Sequence, residues 1–202
     1  MSEHSPALQR ICTAAICHFA EHGYDGASLS AIADLVGIRK ASLYSHVAGK
    51  DALFVLCLEE AMAAEKDFAT QMFSTPVGAD GPGAAYARAL GERYENSAHM
   101  RFMLRAAFLP PEQHRARITV RFESLGDLVR QHYLHQMHAA YGQHFSAAET
   151  DRYADAYQGI VESLCVELQY AGRAQMQRRY TAMWGILSDS LALHSKAAAP
   201  AC

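Results

Sequence analysis

Residues 28–46 read SLSAIADLVGIRKASLYSH, and this stretch decides the fold. Leu29, Ile32, Ala33 and Val36 recur at helical spacing and give a short amphipathic helix, with Ser28 placed to cap its start. Gly37 follows where the chain must turn, because a backbone at positive φ costs a glycine little. A second short helix is expected from about Arg39 to Val47, with Leu43 inside and Ser42, Ser45 and His46 outside. Two short helices joined in this way have the features of a helix-turn-helix. Arg39 and Lys40 begin the second helix, and cations and hydroxyls at that end can reach base edges in a major groove.

Working outward, Ser5-Pro6 opens a first helix, since Ser is a good cap and Pro at the first helical position gives up no needed N–H. Its apolar face is Leu8, Ile11, Cys12, Ala15 and Phe19, and Gly23 is expected to end it before a turn at Tyr24-Asp25-Gly26. A fourth helix is expected from Lys50 to about Ser74. The run TPVGADGPG at 75–83 is the clearest break in the chain. Beyond it the periodicity predicts helices over about 84–99 and 100–108, then a long helix after Pro110-Pro111 that reaches about Tyr141. Ser146 and Glu149 form a capping box for the next helix, which Gly172 closes, and a last helix carries Met176, Tyr180, Met183, Trp184, Leu187 and Leu191. No segment alternates as a strand does. The expected fold is all-α: an N-terminal three-helix module with a helix-turn-helix, then a larger helical body. The expected divisions are 1–50, 51–83 (connecting helix and Pro/Gly-rich loop) and 84–202.

Half of the 202 residues are hydrophobic and 19% are charged, which is ordinary globular chemistry. The net charge of -3 does not advertise a nucleic-acid binder. Within the first fifty residues Arg10, Arg39, Lys40 and Lys50 are balanced by Glu3, Glu21, Asp25 and Asp34. Any DNA binding must therefore follow from where the cations sit. The cysteines at 12, 17, 57, 165 and 202 lack C-x-x-C spacing, so they read as reduced thiols, not as a disulfide framework or thiolate metal site. No stretch resembles a signal peptide or reaches the ~20 apolar residues of a membrane span. A cytoplasmic protein without a membrane partner is expected.

Across residues 11–58 the chain resembles the DNA-binding region of the TetR/AcrR family of regulators. The resemblance rests on Ile11, Ala14-Ala15, Phe19, Gly23-Tyr24, Ser28, Ile32-Ala33, Gly37-Ile38, Lys40, Ser42-Leu43-Tyr44, His46, Lys50 and Leu53. Its most specific part is GIRKASLYSHVAGK at 37–50. Val47 stands where the family often has Phe, Asp51 where it often has Glu, and Arg39 where a small capping residue is common. The resemblance implies that Ser28, Tyr44, His46 and Lys50 touch phosphates, while Ser30, Arg39, Lys40 and Ser42 face the bases. Read from the residues alone, Tyr44 can be half core, His46 can cap its own helix, and Arg39 and Lys40 can be solvated cations.

The resemblance further implies a regulator, not an enzyme, and most simply a repressor. Its homodimer would bind a palindromic double-stranded DNA operator and be released by a small-molecule effector. No cofactor is expected. The dimer would form through the last two helices, where Met183, Trp184, Leu187 and Leu191 would pair with Ile160, Leu164 and Leu168 in a bundle shared with a partner copy. The same stripes can also pack within one chain. Candidate effector contacts are Phe68, Tyr94, Phe102, Arg105, Phe108, Phe122, Tyr133, Tyr157 and Glu162, with core packing as the alternative. His132, His135 and His138 recur every three residues, but they spread over about 120° of helix surface, a poor arrangement for one metal ion. Neither clustered carboxylates nor a nucleophile with a base stands out, which speaks against catalysis.

Overall fold

Capping residues fix most element starts in the computed structural model, which describes residues 5–142 and 144–197. Ser5 accepts from the Leu8 N–H and starts α1 (Pro6–Gly26). Gly23, expected to end the helix, kinks it at φ 72° and ψ -178°, and Tyr24, Asp25 and Gly26, expected as a turn, form its last residues. Ser28 starts α2 (Leu29–Val36), which Gly37 ends in the left-handed region at φ 71°, ψ 33°. Then follow α3 (Lys40–Tyr44), α4 (Lys50–Ser74), α5 (Ala84–Asn96), α6 (Ala98–Phe108), a 3-10 turn at Glu112–His114, α7 (Arg115–Tyr141), α8 (Ala147–Tyr170) and α9 (Arg173–Ala197). No strand occurs among the described residues. Cys202 lies outside them.

Two boundaries differ from expectation. The helix expected to reach His99 stops at Asn96, because the Ser97 hydroxyl caps α6 by accepting from the Met100 N–H. The helix expected over 39–47 keeps only five residues. Its last turn tightens: the Ser45 N–H and hydroxyl both reach the Ser42 carbonyl, and the His46 N–H reaches that of Leu43.

The helices gather into two compact units, residues 1–65 with 96–122, and residues 66–95 with 123–202. In the first, α1 buries Ile11, Cys12, Ala15, Ile16 and Phe19 against α2 and α6. Leu29, Ile32, Leu43, Leu53, Phe54, Leu58 and Phe102 complete that core. Each such side chain contributes about 1.5–3 kcal/mol by leaving water, and together they hold α2 and α3 on a fixed base. In the second unit, α8 and α9 pack along their length, and the core is Phe73, Tyr133, Met137, Tyr157, Leu164, Trp184 and Leu187. The loop between α4 and α5 is held there by three side chains. Gln136 Nε2 donates to Thr75 O (3.2 Å), Tyr157 Oη to Gly83 O (3.0 Å) and Trp184 Nε1 to Asp80 O (3.2 Å).

Candidate nucleic-acid interface

The α2–turn–α3 segment is built from inside. Leu29, Ile32, Ala33 and Leu43 are buried, which fixes the faces of both short helices. The Ile38 N–H donates to Ala33 O at 3.0 Å and the Gly37 N–H to Asp34 O at 3.1 Å, so the orphan carbonyls of α2 are satisfied across the turn. Arg10 donates to Val36 O at 3.2 Å and ties the end of α2 to α1. What remains outside is polar. Ser28, Ser30, Arg39, Lys40, Ser42, Tyr44 and His46 are all exposed. Arg39 is the residue just before α3, and its side chain makes no capping bond. Ser28 is engaged as a cap through its oxygen, 3.1 Å from the Ala31 nitrogen. Tyr44 is 50% exposed, so its ring is not a core ring.

Lys50 differs from the other cations of the set. Its ammonium donates to Ala27 O at 3.0 Å and stands 4.3 Å from the centroid of the Tyr24 ring. Two of its three donors remain for a further acceptor, and the bond to Ala27 O ties Lys50 to the residue before the Ser28 cap.

Sequence reading missed a neighbouring cluster. His114 is buried, stacks on Phe54 (4.9 Å, 18°) and lies with Nε2 2.8 Å from Asp51 Oδ1. The Tyr24 hydroxyl donates to the same oxygen at 2.7 Å. These contacts, the Tyr24 bond first and His114 after it, hold the Asp51 carboxyl below its ordinary range, while burial pushes the Tyr24 phenol up. The residues are 63 and 27 positions apart, and no local signal links them.

The effector candidates divide between the units. Phe102, Arg105, Phe108 and Phe122 fall in the first, and Phe68, Tyr94, Tyr133, Tyr157 and Glu162 in the second. Phe102 and Arg105 line a void of about 10 Å³, at or below what one water needs. Tyr133 and Tyr157 stack at 4.2 Å in a closed core, and burial raises both phenols. The Tyr133 hydroxyl is buried with no hydrogen-bond partner among the described residues. Phe68 packs beside Tyr86 and under the Arg93 guanidinium, 4.8 Å away. Glu162 is exposed on α8, because the buried stripe of that helix runs through Ile160, Leu164 and Leu168. A cavity of about 220 Å³ that sequence reading missed lies under the α4–α5 loop, with Thr75, Val77, Asp80, Arg88 and Gln136 among its walls.

The stripe expected to face a partner copy is packed within the single chain. Ile160, Leu164, Leu168, Trp184, Leu187 and Leu191 are each at most 8% exposed within a single chain, and Met183 is half-buried. They are the seam between α8 and α9 and are spent on holding one chain together. The large apolar residues left exposed on α8 and α9 are Val166, Tyr170, Ile186 and Leu193, with Ile186 73% exposed. Tyr153, Ile186, Asp189, Ser190, Leu193 and His194 line an open groove of about 570 Å³ there.

No group of three His, Cys, Asp or Glu among the described residues is placed to hold a metal ion. His132 instead stacks on Phe73 at 5.3 Å, while His135 and His138 are exposed. Burial lowers the His132 pKa from its ordinary value, and His135 adds to that. Cys12 and Cys57 are buried free thiols, and their contact lowers Cys12 while burial raises Cys57.

Residues 11–57 match the family of bacterial regulatory proteins named the tetR family. The fold as a whole is shared with solved regulators of that kind. A TetR-like transcriptional regulator from Rhodococcus sp. RHA1 superposes with a TM-score of 0.66 at 18% identity, over 95% of this chain and 99% of the other. A TetR/AcrR-family regulator from Thermobifida fusca YX-ER1 gives 0.60 at 16% identity, covering 91% and 97%. The fatty acid degradation regulator FadR from Bacillus halodurans gives 0.62 at 16% identity, covering 93% and 95%. No curated protein matches the sequence.

Proposed function

We propose that this chain, whose residues 11–57 are of the tetR family and whose fold is that of TetR/AcrR regulators, is a DNA-binding transcriptional regulator without enzymatic activity. In this reading residues 1–50 bind DNA, 51–83 connect, and 84–202 bind an effector and dimerise, in the cytoplasm. The homodimer binds a palindromic operator and acts as a repressor that a small-molecule effector releases. The observation that carries the reading is the row of exposed Arg39, Lys40, Ser42 and Tyr44 at the start of a short helix whose other face is pinned by Leu43. Arg39, Lys40, Ser30 and Ser42 read bases, and Ser28, Tyr44, His46 and Lys50 touch phosphates. Dimerisation uses the last two helices, and on α9 it runs through the exposed Ile186 and Leu193, which share one helical face at a spacing of seven. Half-sites must then meet major grooves about 34–36 Å apart or a multiple of that, so an effector acts by favouring a state that misses this spacing. Salt dependence tests the phosphate roles. Lys50→Ala should weaken binding to duplexes of any sequence and lower the salt slope by about one, read by fluorescence anisotropy. An unchanged slope removes Lys50 from the interface.

A further inference from the structure

A buried imidazole is costly unless its polar atoms are matched. The match for His114 is Asp51, in the first turn of α4, five residues after His46. A carboxylate only accepts, so the His114 Nε2–H donates across the 2.8 Å gap. From there the contacts are continuous. Asp51 accepts the Tyr24 hydroxyl at 2.7 Å, and the Tyr24 ring faces the Lys50 ammonium at 4.3 Å. Lys50 in turn donates to Ala27 O at 3.0 Å, next to the Ser28 cap of α2. Each step is direct, and the path runs from the 112–114 turn to Asp51 on α4, across to the kinked end of α1, back to the first residue of α4 and on to Ala27, which joins α1 to α2.

A purely structural histidine would need only the Phe54 stack and any one acceptor for its N–H. Asp51, with its side chain 66% exposed, would be satisfied by water without any histidine. The path instead ends on Lys50 and Ser28, which the DNA-binding reading above assigns to phosphates. A displacement of the 112–114 turn would therefore change where two phosphate contacts lie relative to α3. We propose that His114 is a positioning residue for DNA binding: through Asp51, Tyr24 and Lys50 it sets the seat of α2 and α3 on α4, and makes the 112–114 turn a control point for the DNA-binding module. This rests on the regulator reading.

The test uses the full chain as wild type, Asp51→Ala, His114→Ala and His114→Gln. Asp51→Ala removes an exposed side chain and leaves the Phe54 stack of His114 in place, so it disturbs the fold less than His114→Ala. His114→Gln keeps an N–H donor at similar reach. The probes are a fluorescent duplex that the wild type recovers from a random library, and a scrambled duplex of equal length. Because charged hydrogen bonds are the stronger ones, Asp51→Ala and His114→Ala should each lose about five- to tenfold on the recovered duplex. They should lose under about twofold on the scrambled one with an unchanged salt slope, since no DNA-facing cation is removed. His114→Gln should return to within about twofold of wild type. Amide exchange at residues 28–36 should quicken in both alanine variants and stay unaltered at 147–170. Unchanged affinity for the recovered duplex, equal loss on both duplexes, or no rescue by glutamine overturns the proposal. A wild type that recovers no duplex refutes the DNA reading itself, and the exchange measurement then decides alone whether residue 114 controls residues 28–36.

Discussion

Gly83→Ala is the sharpest single-site perturbation of the second unit. Gly83 sits at φ 75°, and a Cβ there would lie 2.4 Å from Tyr157 Cε2, 2.6 Å from its Cζ and 2.9 Å from Tyr133 Cδ2. Neither ring can yield, because both are fully buried and stack on each other at 4.2 Å. The backbone cannot yield easily either: the Gly83 N–H donates to Gln136 Oε1 at 2.8 Å and its carbonyl accepts the Tyr157 hydroxyl at 3.0 Å. A left-handed alanine costs about 1–2 kcal/mol. Forcing a methyl into a filled core adds about 1–3 kcal/mol. The sum, about 2–5 kcal/mol, corresponds to a fall in Tm of roughly 4–20 °C for a chain of this size. Gly172→Ala is the control, since Gly172 has φ 84° with nothing within 4 Å of a Cβ and incurs only the first cost. Thermal melts by circular dichroism and urea titrations should place Gly83→Ala clearly below Gly172→Ala. Equal shifts for the two would show that the Tyr133–Tyr157 stack is not the rigid wall described.

Ile186→Glu with Leu193→Glu should give monomers that keep their helicity, because both residues are exposed in one chain; Leu164→Glu should unfold the second unit, because it places a carboxylate in a sealed seam. Light scattering with circular dichroism separates these results, and a monomeric wild type at micromolar concentration would refute the assembly. Stability should also fall below neutral pH. Burial lowers the pKa of His18 and His132 from an ordinary 6.5, so the fold favours their neutral form; their contribution is complete above that value and is lost as pH falls below it. The urea midpoint should therefore drop between pH 7.5 and 5.5, and less so in His132→Gln; identical pH slopes would remove His132 from this account.

Local chemistry made much of the fold legible. Ser28, Ser146 with Glu149, and Gly37 each act on backbone groups within a few residues, so their caps and turn could be read directly, and the structure contains all of them. The length of α3 was not legible, because it depends on whether the Ser45 hydroxyl takes the Ser42 carbonyl. The stripe on α8 and α9 shows a deeper limit. An apolar stripe looks the same whether its partner is the next helix or a second chain, and Trp184 gives no local sign of its partner Asp80, 104 residues away. Effector candidates chosen for aromatic character scattered between the units because residue type says nothing of direction. His114 and Asp51 escaped for the same reason: each is ordinary alone, and only the fold makes them a pair.

The central claim is that the helix beginning at Lys40 reads DNA. Selection of duplexes from a random library by wild type and by Arg39→Ala with Lys40→Ala, at one fixed salt concentration, tests it most directly. The account predicts that the wild type enriches two inverted half-sites and that the variant relaxes preference at particular base pairs in each, by about 1–3 kcal/mol per lost bidentate contact. Recovery of the same motif by both proteins, or of none by the wild type, would contradict it.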